Sequence, residues 1–205
     1  MFLKVYTENP SPRHLKIILE QLKEGGIIIY PTDTVYGIGC DMHNSKAIDR
    51  LLKITGKKPE NANLSIICSN LSNISEYTLP FETRIYKMMR KAFPGPYTFI
   101  LNANNKVPKI FNTNKKTVGI RVPESSLIRE IVEEYGNPIV TASIKDTDEF
   151  IEYPTNPEEI QEQYGDIVDL IIDGGHCGTI PSTVIDCTSD EIEVVRIGKG
   201  SMDIF

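Results

Sequence analysis

The sequence predicts an α/β fold, and three observations predict it. Ile27-Ile-Ile-Tyr30 is a continuous apolar run set between Gly25-Gly26 and Pro31; it reads as a short strand buried on both faces that stops pairing at the proline. Similar runs recur at 64–68, 99–101, 139–143 and 168–172, separated by segments whose apolar residues return every three or four positions. With 205 residues and 40% apolar content, the chain suits a single domain over 1–205 with a substantial core. The strands keep no regular βαβ rhythm. The expected architecture is a twisted, open, mixed sheet with helices on both faces and a concave ligand cleft.

The elements follow in order. Ser11-Pro-Arg-His opens a helix over 11–24, with a capping serine, an early proline and the stripe Leu15, Ile18, Leu19, Leu22. After the strand at 27–30, Thr32, Asp33, Thr34 and Tyr36 crowd three hydroxyls and a carboxylate into one loop. A loop of that kind at the mouth of a buried strand is where open sheets bind ligands, although Asx and ST turns produce the same composition. Ser45–Ile54 is a second helix, with Lys53, Lys57 and Lys58 around Gly56 at its exit. Cations there also complement the helix dipole.

A helical connection spans Ser72–Tyr77, and a basic helix, Thr83–Phe93, ends at Pro94-Gly-Pro96 before the strand at Phe99–Leu101. Val107-Pro108 opens a short helix. Lys115–Pro123 is a strand carrying Arg121 between apolar neighbours, with Thr117 four residues earlier on the same face. Burying an unpaired charge is very costly, so Arg121 needs a partner; a ligand anion and an internal ion pair both meet that need. Helix Leu127–Glu134, strand Ile139–Ser143, helix Glu158–Tyr164, strand Val168–Ile172 and a closing strand at Val194–Gly198 complete the chain.

Composition excludes several classes. No apolar run approaches the roughly 20 residues that span a bilayer, and the N-terminus lacks a long apolar core and cleavage site, so a cytoplasmic location without membrane partners is expected. The cysteines Cys40, Cys68, Cys177 and Cys187 form no CxxC pair, which points to reduced thiols and no protein-held metal. His14, His43 and His176 have no triad context, and no G-x-x-x-x-G-K-[ST] loop is present. The net charge of −6 is unevenly spread: residues 53–121 carry twelve Lys/Arg against three Glu, and residues 122–195 carry two against eighteen acids. Such segregation predicts one basic surface suited to phosphates and one acidic, solvated surface.

Pro31-Thr-Asp-Thr-Val-Tyr-Gly37 resembles the opening motif of the YrdC/YciO family, whose best-known members make threonylcarbamoyl-AMP for tRNA modification. Pro94-Gly-Pro-Tyr-Thr98, the strand with Arg121, Pro181-Ser-Thr-Val-Ile-Asp186 and Val194-Val-Arg-Ile-Gly198 match later motifs in the same order, from about Gly25 to Gly200. The resemblance implies the same open-sheet architecture and an ATP, L-threonine and bicarbonate chemistry, with Mg²⁺ accompanying the nucleotide. It assigns Lys58 and Arg121 to catalysis, and Thr34, Tyr36, Arg121, Thr141 and Ser182 to threonine. It assigns Lys53, Lys57, Lys58, Thr117, Ser143 and Arg196 to ATP or AMP.

Two departures place the chain nearest the YciO branch. Where synthases carry Lys-x-Arg before a proline, this chain reads Gly56-Lys57-Lys58-Pro59; where they read Ser-Ala-Asn, it reads Ser143-Ile-Lys145. Lysine offers a point charge in place of arginine's two-pronged donor, and Lys145 cannot accept a hydrogen bond as an amide does. The alternative expectation is a YciO-like binder of nucleotide, tRNA or double-stranded RNA with weak or no synthase activity.

Overall fold

The computed structural model describes residues 1–58, 64–108, 116–145 and 152–205. Its strands are β1 (Phe2–Lys4), β2 (Ile28–Tyr30), β3 (Gly37–Asp41), β4 (Ser65–Ile67), β5 (Tyr97–Asn102), β6 (Thr117–Arg121), β7 (Ile139–Ser143), β8 (Leu170–Asp173), β9 (Thr183–Asp186) and β10 (Glu193–Arg196). All join one mixed sheet in the order β1-β8-β2-β3-β7-β4-β6-β5-β9-β10. Four neighbouring pairs are parallel (β1–β8, β2–β8, β4–β6, β5–β9) and the other five antiparallel, which is the mixed α/β sheet the sequence predicts.

The helices are α1 (Pro12–Lys23), α2 (Ser45–Ile54), α3 (Thr83–Ala92), α4 (Ser126–Tyr135) and α5 (Pro157–Tyr164). Ser11 caps α1 by accepting from the His14 N–H at 3.2 Å, with Pro12 in the first turn, and Asn44 caps α2 through Ala47 N–H at 3.0 Å. Their apolar stripes sort them onto two faces. Ile48 and Leu51 of α2, Met88 and Met89 of α3 and Ile160 of α5 pack with Ile29, Ile38, Ile66, Phe99, Ile120 and Ile185. Ile18 and Leu22 of α1 and Leu127 and Ile131 of α4 pack with Ile28, Tyr30, Ile67, Ile139 and Leu170 on the other face.

Three strands, β1, β3 and β9 (Thr183–Asp186, within the Pro181–Asp186 motif), are not expected from the sequence. β1 is three residues long and mostly exposed, so it carries no burial pattern; it is held by parallel pairing with β8. β3 hides behind Gly37 and Gly39, residues that lower strand propensity, yet it is the central antiparallel partner of β2 and β7. The segment 31–36 is therefore a hairpin loop, not a crossover. The helix expected after Val107-Pro108 falls on 109–115, outside the described residues.

Among the described residues, the helices cover only half of the second face. Beyond Ile67 and Ile139, the residues pointing that way are Thr141 and Ser143 of β7, Ser65 of β4, Thr117, Gly119 and Arg121 of β6, and Thr98 and Ile100 of β5. Their alternate neighbours Val140, Ile66, Val118, Ile120 and Phe99 are all in the opposite core. Ile100 and Val184 are half-exposed and belong to neither apolar cluster. Small and polar residues thus floor this end of the sheet.

Candidate functional site

Arg121 ends β6 on that polar floor and is 6% exposed. Its Nη2 donates to Thr34 Oγ1 at 3.1 Å and approaches Asp33 Oδ1 at 3.4 Å. Burial pulls its guanidinium below the ordinary arginine value, with Asp33 opposing that shift. The loop hydroxyls form a directed chain: Thr32 Oγ1 donates to Val35 O at 2.6 Å, so the 3.0 Å Thr32–Thr34 contact is donated by Thr34. That leaves Thr34 Oγ1 as the acceptor for Arg121. Thr34 positions the arginine. Among the described residues, two buried atoms of this cluster have no hydrogen-bond partner, Asp33 Oδ2 and Arg121 Nε.

A second cluster faces it. Thr98 Oγ1 and Ser182 Oγ lie 2.8 Å apart. Arg196 donates Nε and Nη2 to Ser182 O at 3.1 and 2.9 Å, and Nη2 also reaches Ser182 Oγ at 3.2 Å. The register of β10 on β9 skips Val195, pairing Val194 with Ile185 and Arg196 with Val184; this bulge turns Arg196 toward Ser182. Lys199, tied through its backbone N–H to Pro181 O at 2.8 Å, donates its Nζ to Asp33 O. The two clusters are thereby joined.

Lys57 supplies a third cation. The chain leaves α2 through a left-handed Gly56, φ +63°, with Lys57 N–H on Leu52 O at 3.0 Å and Gly56 N–H on Lys53 O at 3.2 Å. This 6→1 and 5→2 pairing is a Schellman C-cap. It leaves Lys57 half-buried and Lys58 exposed. Burial lowers the Lys57 ammonium from its ordinary value, and Lys145 and Arg196 push it the same way. Lys145 is itself exposed and pairs with Glu152 at 3.4 Å. Lys57 thus feels the charges of Lys145 and Arg196, and Arg121 that of Arg196, with Asp33 as the carboxylate set against Arg121.

Tyr36, Thr117 and Lys53 lie away from these two clusters, whereas Thr141 and Ser143 lie on the polar floor itself. Tyr36 is fully buried in the opposite core and its hydroxyl donates to Gly175 O at 2.7 Å, because β3 carries the residues after Val35 into the sheet. Thr117 shares the face of Arg121 but stands at the far end of β6, opposite Asn102, about 13 Å away at strand rise. Lys53 is exposed on the last turn of α2, where it complements the helix C-terminus. Thr141 accepts a hydrogen bond from Tyr30 at 2.6 Å, and Ser143 sits at the end of β7 opposite Gly37. The expected basic surface is also redistributed: Arg84, Lys87, Arg90 and Lys91 line the exposed side of α3, while Lys145, Arg196 and Lys199 come from outside the basic block.

A family model for Sua5, YciO and YrdC proteins, described as "Telomere recombination", matches residues 20–198. The chain belongs to the Sua5/YciO/YrdC family. It is 35% identical over 206 residues to the uncharacterized protein YciO of Escherichia coli (strain K12), covering 100% of this chain and 98% of YciO. It is 30% identical to the threonylcarbamoyl-AMP synthase of Vibrio vulnificus (strain YJ016), covering 78% of this chain and 86% of that protein. The crystal structure of E. coli YciO superposes with a TM-score of 0.92 at 33% identity, over 100% of this chain and 98% of YciO. P. abyssi Sua5 complexed with L-threonine gives 0.88 at 25% identity, over 97% of this chain and 57% of Sua5.

Of the residues gathered in these clusters of a Sua5/YciO/YrdC chain, sequence reading singles out Arg121, Ser182, Arg196 and the 31–37 loop and passes over four. Asp33 was seen in the loop without a partner. Tyr30 read as core, Thr98 as part of a turn motif, and Lys199 carried no signal beyond following Gly198. Their spatial meeting depends on strands far apart in sequence.

Proposed function

We propose that this protein binds ATP and L-threonine on the polar half of its sheet and carries out threonylcarbamoyl-AMP synthase chemistry. ATP, L-threonine and bicarbonate give threonylcarbamoyl-AMP, pyrophosphate and water. The observation that carries this reading is the Thr98–Ser182 hydroxyl pair held by Arg196, with Arg121 on the neighbouring strand of the same sheet face. Names of relatives support the same direction: a threonylcarbamoyl-AMP synthase at 30% identity and a Sua5 complexed with L-threonine.

In this reading Arg121 takes the threonine carboxylate, with Thr34 fixing its guanidinium. Arg196 and Lys57 take phosphate oxygens, and Ser182 and Ser143 offer hydroxyls to the nucleotide or threonine. Lys58 stands at the rim and Lys57 replaces it as the main phosphate contact. Such a reaction needs positioning and neutralisation of phosphoryl charge, not a protein nucleophile. Among the described residues no group of three or more His, Cys, Asp and Glu could hold a metal, so Mg²⁺ would enter on the triphosphate and neutralise its charge. No described helix is long and apolar enough to cross a membrane.

The test is pyrophosphate release from ATP by the full chain, with and without L-threonine and bicarbonate. Release that requires both supports the proposal; ATP binding with no threonine-dependent release refutes it. A second reading, a binder of nucleotide or RNA without synthase turnover, is favoured by two observations. Gly56 cannot be a lysine without strain, and Lys145 is held by Glu152. It predicts tRNA or duplex RNA affinity that falls steeply with salt and with neutralisation of Lys87, Arg90 and Lys91.

A further inference from the structure

We infer that a cleft between the C-terminus of α4 and the end of β4 is a binding site for a small organic ammonium, of the class of short aliphatic diamines. Its volume is about 210 Å³, below the roughly 300–1,000 Å³ of pockets that hold drug-sized molecules. A ligand of a few carbon atoms is the size that fits. The cleft lies where Cys68 follows β4 and Pro138 precedes β7; the 3-10 turn Leu71–Glu76 and the end of α4 contribute the rest of its lining. The β2–β3 loop stands at the other end of β7, since Gly37 pairs with Ser143 and Asp41 with Ile139, about 13 Å along the strand. One backbone contact links the two ends: Cys68 N–H donates to Arg121 O at 2.9 Å.

Glu76 and Glu133 line the cleft, and no described lining residue is basic. Glu133 sits in the last turn of α4, which holds no basic residue. Its carboxylate and the negative end of the helix dipole repel each other until a cation comes between them. Gly136 N–H takes Val132 O at 3.0 Å, and the later carbonyls of that turn have no partner within the helix. Tyr77 adds an independent sign of a missing ligand. It is 8% exposed and lines the cleft, yet its hydroxyl makes no hydrogen bond among the described residues. Burial and then the Glu76 carboxylate raise the Tyr77 phenol, and the same two causes push the Cys68 thiol up to about 12. Both groups stay neutral, and the phenol oxygen is open to an N–H donor. Ser69, Asn70 and Asn73 satisfy one another instead: Asn70 Nδ2 donates to Ser69 Oγ at 3.2 Å, and Ser69 Oγ to Asn73 Oδ1 at 2.9 Å.

The cation the cleft suits is organic. Val132 and Pro138 give it apolar surface for methylenes. Two carboxylates fall short of the roughly six to eight oxygens that calcium takes, and no group of three or more His, Cys, Asp and Glu among the described residues could hold a metal. Lys106 Nζ approaches Glu76 Oε2 at 3.7 Å, but the pair is exposed, and such pairs contribute little; a ligand ammonium displaces it.

The experiment is calorimetric titration of the full chain at low ionic strength with 1,4-diaminobutane, with 1,4-butanediol and with MgCl2. The diamine should bind at least about tenfold more tightly than the diol, the size of a lost charged hydrogen bond, and an equal concentration of Mg²⁺ should not displace it. Glu76→Gln with Glu133→Gln should abolish diamine binding. Glu158→Gln with Glu159→Gln removes the same charge from α5 and should leave it unchanged; all four positions are exposed, so folding is not at stake. Equal affinity for diamine and diol overturns the inference, as does displacement by Mg²⁺. Equal losses in the two double variants also overturn it, because they mean a general attraction to an acidic chain.

Discussion

The Tyr30 hydroxyl donates to Thr141 Oγ1 at 2.6 Å, reaching from β2 across β3 to β7. It can do so because β3 presents no side chain beneath it. A Cβ at Gly37 would stand 2.8 Å from the Tyr30 ring, and one at Gly39 would stand 2.3 Å from Val140 O and 3.1 Å from the Tyr30 hydroxyl. Burial raises the Tyr30 phenol, so it remains a protonated donor beside Arg121.

Gly39→Ala should therefore destabilise the fold more than Tyr30→Phe. The first forces a backbone oxygen aside, an overpacking cost of about 1–3 kcal/mol. The second removes one hydrogen bond, about 1 kcal/mol. Urea denaturation checks the order, and a Tyr30→Phe protein less stable than Gly39→Ala would contradict it.

Arg121→Lys should fold but lose threonine affinity. The lysine keeps a charge on the floor of the site, yet it cannot contact Thr34, Asp33 and a carboxylate in one plane. The expected loss is about tenfold or more, since charged hydrogen bonds contribute about 1.5–3 kcal/mol. Arg121→Ala should abolish threonine binding. Calorimetry on both variants decides; unchanged affinity in Arg121→Lys would remove the arginine from the site.

Lys57 and Lys58 should differ although they are adjacent. Lys57→Ala should weaken ATP binding by about tenfold, the value of a charge-assisted contact, and Lys58→Ala by much less, because the C-cap leaves it exposed. The depressed Lys57 value adds a pH signature. In the window between that value and the ordinary 10.5, the folded protein binds fewer protons at this lysine than the unfolded chain. Stability at this site therefore rises with pH there, while ATP affinity falls as the ammonium is lost. Lys57→Arg should abolish that fall. A wild-type affinity flat across the alkaline range would refute the assignment.

Restoring the synthase pattern will not be a simple gain. Gly56→Lys places a side chain at φ +63°, a strain of about 1–2 kcal/mol. Ile144→Ala empties a fully packed position in the main core, at about 2–5 kcal/mol. Lys58→Arg with Lys145→Asn avoids both costs. We expect this double variant to raise threonine-dependent pyrophosphate release while keeping the wild-type melting temperature. Unchanged turnover would show that these two positions are not what limits the chemistry.

Much of this was legible in the sequence because it is local. The buried run at 27–30, the cap Ser11, the helices α1 to α4 and the Pro94 stop follow from propensity and period, which neighbouring residues set. Arg121 was legible for the same reason: a charge inside an apolar strand must find a partner wherever the strand lies. What only the tertiary structure decided is non-local. The glycines of β3 disguise a central strand until Tyr30 is seen lying over them. The Val195 bulge, a matter of register between β9 and β10, turns Arg196 to the site. A left-handed residue at Gly56 chooses Lys57 over Lys58. Asp33 and Arg121, 88 positions apart, meet only because β6 and the β2–β3 loop share one face, and neither segment alone holds the information that they do.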